Sequence, residues 1–234
     1  MTLTIDIKIN YKIWTFITKY IQTLIESLKD NKKIIVICFA LYLITAIVAY
    51  FMSNHNLTIH ASEVTARLAP YANATVEHQS ALTLFKNNAF IVVYSYIVGI
   101  FFGIFSLFTM LYNAMGLGYQ FAITGFLRPN GFLEYLLYVI PHGIFEISGT
   151  FFGSVSGLVL FRFIWRLLKD FKRSDANGFN ERLLESYQKN RHIFIQSLAL
   201  LSFAIILMLI AAPIESYISQ AFSRAILHYK ILSW

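Results

Sequence analysis

The apolar stretches of this chain are too long and too free of charge for a soluble domain. Residues 34–52 run for 19 residues without a charged side chain, and about 20 apolar residues are needed to cross the hydrocarbon core of a bilayer as a helix. Of the 234 residues, 57% are hydrophobic and 13% are charged, whereas soluble proteins carry about 25% charged residues. We therefore predict an all-α fold, a polytopic membrane helix bundle.

The alternation of apolar and polar segments predicts about five transmembrane helices. The predicted spans are 34–52, 89–112, 113–127, 134–165 and 192–213, with an outside loop at 53–88 and a cytoplasmic loop at 166–191. A cytoplasmic amphipathic helix is expected on the membrane surface at 1–33, and an external amphipathic tail at 217–234. The segment 113–127 is short, so a re-entrant hairpin competes with a full span there.

The basic residues fall into two blocks, and their placement predicts the orientation of the chain. Fourteen of the 19 Lys and Arg residues lie within 8–33 and 162–191. Loops rich in Lys and Arg stay on the cytoplasmic side of membrane helices, so both blocks are expected inside. Five spans then place the N-terminus in the cytoplasm and the C-terminus outside the plasma membrane. This arrangement accounts for the net charge of +7, and no nucleic-acid partner is expected.

The fourth predicted span contains a histidine and a carboxylate. His142 and Glu146 are four residues apart, which places them on one face of a helix. An ionisable group at this depth costs on the order of 3 kcal/mol, so it usually faces the interior of the bundle and has a function there. Pro141 removes a helical hydrogen bond, so we expect a broken fourth helix, and Gly143 is expected to admit a neighbouring backbone.

Two further polar residues can join this pair. In the predicted topology His142 lies about 12 Å and Glu146 about 18 Å below the outer surface, at about 1.5 Å per residue. Asn88 stands at the outer end of the second span, and Glu215 stands at the outer end of the fifth. The four side chains can therefore form one polar cluster that opens outward.

Four interpretations of this cluster are open at this point: a structural clamp for the broken helix, a site that a partner protein engages, a transport or proton-relay site, and a catalytic metal site. The metal site is disfavoured because one His and one Glu are too few ligands and the H-E-x-x-H motif is absent. The sequence contains no nucleotide-binding loop and no G-x-S-x-G motif, and Cys38 is its single cysteine. We expect no enzymatic activity, no cofactor and no metal.

Glycines recur at helical spacing in two of the predicted spans. Gly99 and Gly103 make a G-x-x-x-G step, and Gly149, Gly153 and Gly157 follow one another every four residues. Small residues at this spacing let helix backbones approach closely inside a membrane. We predict that both groups pack helices, and the second group is also a candidate homodimer face.

The residues around the His–Glu pair resemble a family signature. The stretch Y-V-I-P-H-G-I-F-E, which ends at Glu146, is similar to the P-H-G-x-x-E signature of the stage II sporulation protein M family. The stretch A-A-P-I-E, which ends at Glu215, is similar to the close of that family's last span, although Pro213 departs from the pattern and is expected to bend the helix end. Residues 113–118 resemble the polar, glycine-containing turn before the third span of the family. The resemblance covers about 34–216.

This resemblance implies an integral membrane scaffold without catalysis of its own, in which Pro141, His142, Gly143, Glu146 and Glu215 are the signature residues. In endospore formers the namesake anchors two peptidoglycan-degrading partners at the septal membrane, and relatives also occur in organisms that do not sporulate. The expected function is a non-enzymatic scaffold in the lipid bilayer that organises membrane or envelope proteins, with peptidoglycan-degrading enzymes as partners in a spore-forming host. The alternative is a small transporter or permease subunit that uses the His–Glu pair as an ion or proton site.

Overall fold

Long helices account for nearly all of the chain that the structure describes. The structure is a computed structural model that describes residues 2–63, 79–127, 130–219 and 221–226, with side chains from residue 12 onward. The helices are α1 (Thr2–Asp30), α2 (Lys32–Ile59), α3 (Ala81–Val98), α4 (Ile104–Leu127), α5 (Gly131–Arg173) and α6 (Phe179–Ile214), and a π-helical segment, Glu215–Ser219, follows α6. No strand occurs in the described ranges, and the all-α prediction is confirmed.

The two longest helices, α5 and α6, form the centre of the bundle. They share the most extensive helix–helix interface, α3 and α4 flank α5, and α2 packs mainly on α4. The seam between α5 and α6 contains the fully buried side chains of Val155, Val159, Ile193 and Leu200. Because lipid tails are as apolar as these side chains, close packing of this kind is a main source of cohesion between membrane helices.

Four helical segments are long and apolar enough to cross a membrane: Lys32–Ile59, Ala81–Val98, Gly131–Arg173 and Phe179–Ile226. Their outward faces carry large apolar side chains that are more than half exposed, such as Phe39, Ile44 and Phe90. Exposed apolar surface on this scale marks a membrane or protein contact. The chain is therefore a multi-pass membrane protein.

The predicted boundary between the second and third spans is wrong. The stretch 89–112 is not one helix, because the chain turns between α3 and α4, where Phe102 and Gly103 have φ values of 61° and 68°. This left-handed conformation ends an α-helix and favours glycine. Residues 113–127, predicted as a separate short span, are therefore the second half of the 24-residue helix α4, and the turn expected at 113–118 is helical.

Several other helix ends also differ from the prediction. α2 continues to Ile59 instead of ending at 52, and α3 begins at Ala81, inside the predicted outside loop. α5 and α6 extend through most of the predicted cytoplasmic loop, because charged residues end a membrane span without ending a helix. The centre of the predicted outside loop, 64–78, and the end of the predicted tail, 227–234, lie outside the described residues.

Pro141 and Gly143, two of the signature residues, both lie inside α5. The helix carries Pro141 in its interior and continues through it, so the predicted break is not confirmed; the proline removes one hydrogen bond, and the flanking turns stay helical. Gly143 does not admit a neighbouring backbone, because the atom nearest to a Cβ added there is Cγ1 of Val139 in the same helix, at 2.5 Å.

The glycine stripe of α5 packs against other helices of the same chain. A Cβ added at Gly149 would meet a side chain of α6, one at Gly153 would meet a side chain of α3, and one at Gly157 would collide with atoms of α3 and α4. Gly99, at the end of α3, contacts the backbone of Gly157, whereas Gly103 lies in the turn that follows. The stripe is buried inside the chain, so its assignment as a homodimer face is corrected.

Hydroxyl groups add hydrogen bonds between the packed helices. The hydroxyls of Ser95 on α3 and Ser154 on α5 lie 2.9 Å apart, and Ser106 Oγ on α4 donates to the carbonyl oxygen of Ser95 at 2.6 Å. The hydroxyl of Tyr96 on α3 lies 3.2 Å from that of Ser197 on α6. Polar side chains that bond across helices hold a membrane bundle in register, and here they tie α3 to three neighbours.

The amphipathic helix α1 packs on α6 along one face and leaves apolar side chains on the other. Tyr20 donates a hydrogen bond to the carbonyl oxygen of Ala199 at 3.4 Å, while Trp14 and Phe16 are 69% and 73% exposed. An exposed apolar face that contains tryptophan is typical of a helix at the membrane interface. Burial of its phenol against α6 raises the pKa of Tyr20.

Candidate functional site

The four polar side chains of the predicted cluster lie together, where α3, α5 and the π-helical segment meet. Asn88 belongs to α3, His142 and Glu146 belong to α5, and Glu215 is the first residue of the π-helical segment. The nearest side-chain nitrogen or oxygen atoms of His142, Glu146 and Glu215 all lie within 4.8 Å of one another, and the amide of Asn88 lies within electrostatic reach of the Glu146 carboxylate. We refer to these four residues as the carboxylate cluster.

The imidazole of His142 is almost completely buried and is paired with a hydroxyl group. The residue is 4% exposed, and its Nδ1 lies 2.8 Å from Ser219 Oγ. The Ser219 hydroxyl donates its own proton to the carbonyl oxygen of Ile214, at 3.2 Å. With its proton placed there, the Ser219 oxygen can accept from His142 Nδ1–H, and in that tautomer of the neutral imidazole Nε2 carries the free lone pair.

Pro213 explains how Glu215 and Ser219 come to face α5. A proline at this position cannot donate to the carbonyl of the preceding turn, and the chain continues from Glu215 as a π-helix. Single π-helical turns often occur at functional sites because they turn side chains toward a new direction. Pro213, a departure from the family pattern, thus lies directly before the segment that completes the cluster.

Tyr138 contacts two members of the carboxylate cluster at once. Its hydroxyl donates to Glu215 Oε1 at 3.2 Å, and its ring lies edge-on to the imidazole of His142, with ring centroids 5.1 Å apart. Since Tyr138 precedes His142 by one helical turn, both contacts arise from one face of α5. The tyrosine therefore orients Glu215 relative to the histidine.

Glu146 is the more accessible partner of the histidine. Its Oε2 lies 3.6 Å from His142 Nε2, and its side chain is 32% exposed, against 5% for the histidine side chain. The phenol groups of Tyr42 on α2 and Tyr135 on α5 lie within electrostatic reach of this carboxylate. Glu146 is thus surrounded by three helices and can be reached from outside the bundle.

The charges of the carboxylate cluster do not balance one another. Two carboxylates share a small volume with a single histidine, and like charges at such separation in a low dielectric disfavour each other's ionised form. A buried charge in a membrane helix needs a partner of opposite sign. The cluster can therefore hold a proton or a cation.

The sequence analysis identified neither Ser219 nor Tyr138 as a functional residue. The signal that would have found them is spacing, because Ser219 follows Glu215 by four residues and Tyr138 precedes His142 by four. A pair at this distance shares a helical face. Hydroxyl groups one helical turn from a buried ionisable residue are therefore candidate members of its site.

A second polar group, centred on the buried side chains of Asn31 and Gln196 and also not identified from the sequence, joins the end of α1 to α5 and α6. Gln196 Nε2 donates to Asp30 Oδ2 at 2.6 Å, and Gln196 Oε1 accepts from Arg162 Nη2 and from Asn31 Nδ2, each at 3.4 Å. Gln196 is 5% exposed and Asn31 is 1% exposed. We refer to Asp30, Asn31, Arg162 and Gln196 as the amide cluster; it contains one negative and one positive charge.

Membrane-spanning helices that bury a histidine beside two glutamates define a class of protein, the multi-pass membrane proteins with an intramembrane ionisable site. The family model described as "Stage II sporulation protein M" matches residues 34–220. Because this range is well over half of the chain, the chain belongs to that family, and the resemblance of the P-H-G-x-x-E stretch is confirmed. No curated protein and no solved structure matches the chain.

Proposed function

We propose that this protein is a non-enzymatic membrane scaffold that anchors a partner through a transmembrane helix. Membership of the stage II sporulation protein M family supports the proposal, and so does the uneven burial of the helices. In the most apolar stretch of α2, 11% of the residues are buried within the chain, against 56% in α5. The bundle therefore has a packed centre and peripheral helices with free faces.

The observation that carries the proposal is a polar stripe on the free face of α4. Asn113, Gly116 and Gln120 recur at spacings of three and four residues, so they share one side of the helix. Gly116 and Gln120 are exposed, and no atom outside the helix lies within 4 Å of a Cβ added at Gly116. We call these three residues the α4 stripe.

The α4 stripe is not used by the bundle itself. The opposite side of α4 carries Ala114 and Gly118, which are buried, and Gly118 packs directly on the backbone of α2. An amide such as Gln120 facing hydrocarbon has no hydrogen-bond partner there. Small and amide-bearing residues on one face are typical of helix–helix contacts in membranes. The chemistry of the stripe therefore matches a partner helix better than it matches lipid.

The amide cluster supports the predicted orientation. The contact between Asp30 and Gln196 brings the first basic block, which lies within 8–33, to the same end of the bundle as the second, within 162–191. Under the positive-inside rule this end is cytoplasmic, and the carboxylate cluster lies toward the other surface. We propose a plasma-membrane protein with a cytoplasmic N-terminus, whose partners are membrane or cell-envelope proteins and, in a spore-forming host, peptidoglycan-degrading enzymes.

Photo-crosslinking at two matched tyrosines tests the proposal. Tyr112 beside the α4 stripe and Tyr94 on α3 are 78% and 51% exposed, and each is replaced in turn by a photoreactive phenylalanine in the native host. We expect position 112 to capture a defined membrane or envelope protein, identified by mass spectrometry, and position 94 to capture none.

A second pair of variants separates docking from folding. Gln120→Leu should abolish the adduct at position 112, because the partner loses its amide contact, while Ser202→Leu at an exposed site on α6 should leave the adduct intact. Equal capture at both tyrosines, or an adduct that persists in Gln120→Leu, would contradict docking through this stripe.

A further inference from the structure

We propose that the carboxylate cluster binds one divalent transition-metal ion, with zinc as the ion that its donors fit best. The ligands are Nε2 of His142 and one carboxylate oxygen each from Glu146 and Glu215. The His–Glu pair of α5 alone supplies two ligands, which are too few for a metal site. Folding brings Glu215 beside the pair as a third donor. Imidazole nitrogen and carboxylate oxygen are ordinary zinc ligands.

The tautomer of His142 is the first argument for a bound cation. In the tautomer whose Nδ1–H donates to Ser219, Nε2 carries a lone pair, and this lone pair faces Glu146 Oε2. Two electron-rich atoms that face each other in a buried site repel unless a positive charge lies between them. A metal ion bound to both atoms removes this repulsion and uses the lone pair as a ligand.

The distances are the second argument. Nε2 of His142 and Oε2 of Glu146 are 3.6 Å apart, which is too long for a hydrogen bond. Two ligands of a tetrahedral zinc ion with bonds of about 2.0 Å lie about 3.3 Å apart. The third donor, a carboxylate oxygen of Glu215, lies within 4.8 Å of the other two. Small side-chain adjustments therefore close the cluster around an ion.

The outer contacts of the three donors match the second shell of known metal sites. A metal-binding histidine usually donates its other ring N–H to an oxygen, and Ser219 Oγ lies 2.8 Å from His142 Nδ1, in position to accept such a bond. Binding carboxylates are usually hydrogen-bonded as well, and here Tyr138 donates to Glu215. Two of the three proposed ligands, His142 and Glu215, thus have a hydrogen-bonded partner that orients them.

Charge is the third argument. A neutral imidazole and two carboxylates carry up to two negative charges, and a divalent ion neutralises them inside the membrane. The competing occupant is a proton on the imidazole or on a carboxylate, which also reduces the repulsion. A metal site retains a metal ion in the purified protein, whereas a protonated cluster retains none.

Zinc retention by the full-length protein distinguishes them. The protein is purified in detergent, treated with a chelator, given Zn²⁺ alone and desalted, and the zinc per chain is measured by inductively coupled plasma mass spectrometry. We expect the wild type to retain one zinc ion per chain and His142→Ala and Glu215→Gln to retain none. His192→Ala, at an exposed histidine outside the cluster, is the matched control and should retain zinc as the wild type does.

Two further measurements keep the test decisive if a ligand variant does not fold. Co²⁺ added to the chelator-treated wild type should give visible d–d absorption that Zn²⁺ displaces. Ser219→Ala removes a positioning residue and not a ligand, so it should weaken Zn²⁺ binding about 10- to 100-fold without abolishing it. A wild type that retains no zinc and gives no cobalt absorption, or equal retention by His142→Ala, would overturn the proposal and leave a proton as the occupant.

Discussion

The carboxylate cluster and the amide cluster each join three helical segments around a buried side chain, His142 in the first and Gln196 in the second, yet their charges are arranged in opposite ways. In the amide cluster, Gln196 lies between Asp30 and Arg162, so its amide donates to the anion and accepts from the cation. In the carboxylate cluster, two carboxylates lie beside a single histidine, whose Nδ1 is paired with the hydroxyl of Ser219.

This difference indicates different roles for the two clusters. In the amide cluster the opposite charges compensate each other through the amide of Gln196, although Asn31 Oδ1 and Arg162 Nε have no hydrogen-bond partner among the described residues. A buried group of like charges is incomplete until a proton or a cation joins it. The amide cluster is therefore structural, and the carboxylate cluster has the properties of a binding site.

The largest expected effect comes from the glycine that lies between the two clusters. Gly157→Leu should destabilise the protein by about 3 kcal/mol or more, because the new side chain collides with the backbone of α3 and with Ser106 on α4. Since α3 carries Asn88, the carboxylate cluster should be disrupted as well. Gly116→Leu, at a glycine with open space, is the control and should leave the free energy of unfolding in detergent unchanged. Equal stability of the two variants would mean that the glycine stripe of α5 does not pack α5 against its neighbouring helices.

The next effect tests whether the amide cluster is structural. Gln196→Leu should cost about 2–3 kcal/mol, since it removes a buried amide that bonds to a carboxylate and to a guanidinium. The loss should be the same with and without added metal. Gln120→Leu is the same substitution at an exposed amide of α4 and should change stability little. Denaturant unfolding followed by circular dichroism measures the stability of both variants. A small loss in Gln196→Leu would mean that the amide cluster is not a structural cluster and would contradict its contrast with the carboxylate cluster.

A smaller effect with the opposite sign is expected in the carboxylate cluster. In the metal-free protein, Glu215→Gln should raise the free energy of unfolding by about 1 kcal/mol, because it removes one of two like charges and keeps an oxygen that accepts from Tyr138. Added Zn²⁺ should stabilise the wild type and leave the variant unaffected. Destabilisation of the metal-free variant would show that the second carboxylate is already compensated within the chain.

The sequence was sufficient to predict the class of fold and the members of the carboxylate cluster. Long uncharged stretches leave a helical membrane bundle as the one arrangement that satisfies the backbone in lipid. Ionisable residues such as His142 and Glu215 stand out in those stretches because they are costly there. Their common depth followed from counting residues from the span ends.

The errors arose where one pattern has two structural meanings. Gly99 and Gly103 have the spacing of a helix-packing motif and both pack on α5, but they also begin and end a tight turn, and an apolar turn has no polar residues to reveal it. Gln196 is a single amide in a long apolar span, and its partners Asp30 and Asn31 lie far away in the sequence. Contacts between distant segments depend on how the helices pack, which periodicity does not encode.

The smallest expected effect on stability comes from an exposed ion pair, which serves as the reference for the effects in the two clusters. Lys189 Nζ lies 3.1 Å from Asp170 Oδ1 where α5 and α6 extend beyond the membrane, and the lysine side chain is 68% exposed. Lys189→Ala should leave the free energy of unfolding unchanged, because water and salt screen an exposed ion pair. Asn190→Ala should be more costly, since Asn190 is 3% exposed and donates to Asp170 Oδ2 at 2.7 Å. A larger loss of stability in Lys189→Ala than in Asn190→Ala would show that burial does not determine how much a polar contact contributes to the free energy of unfolding.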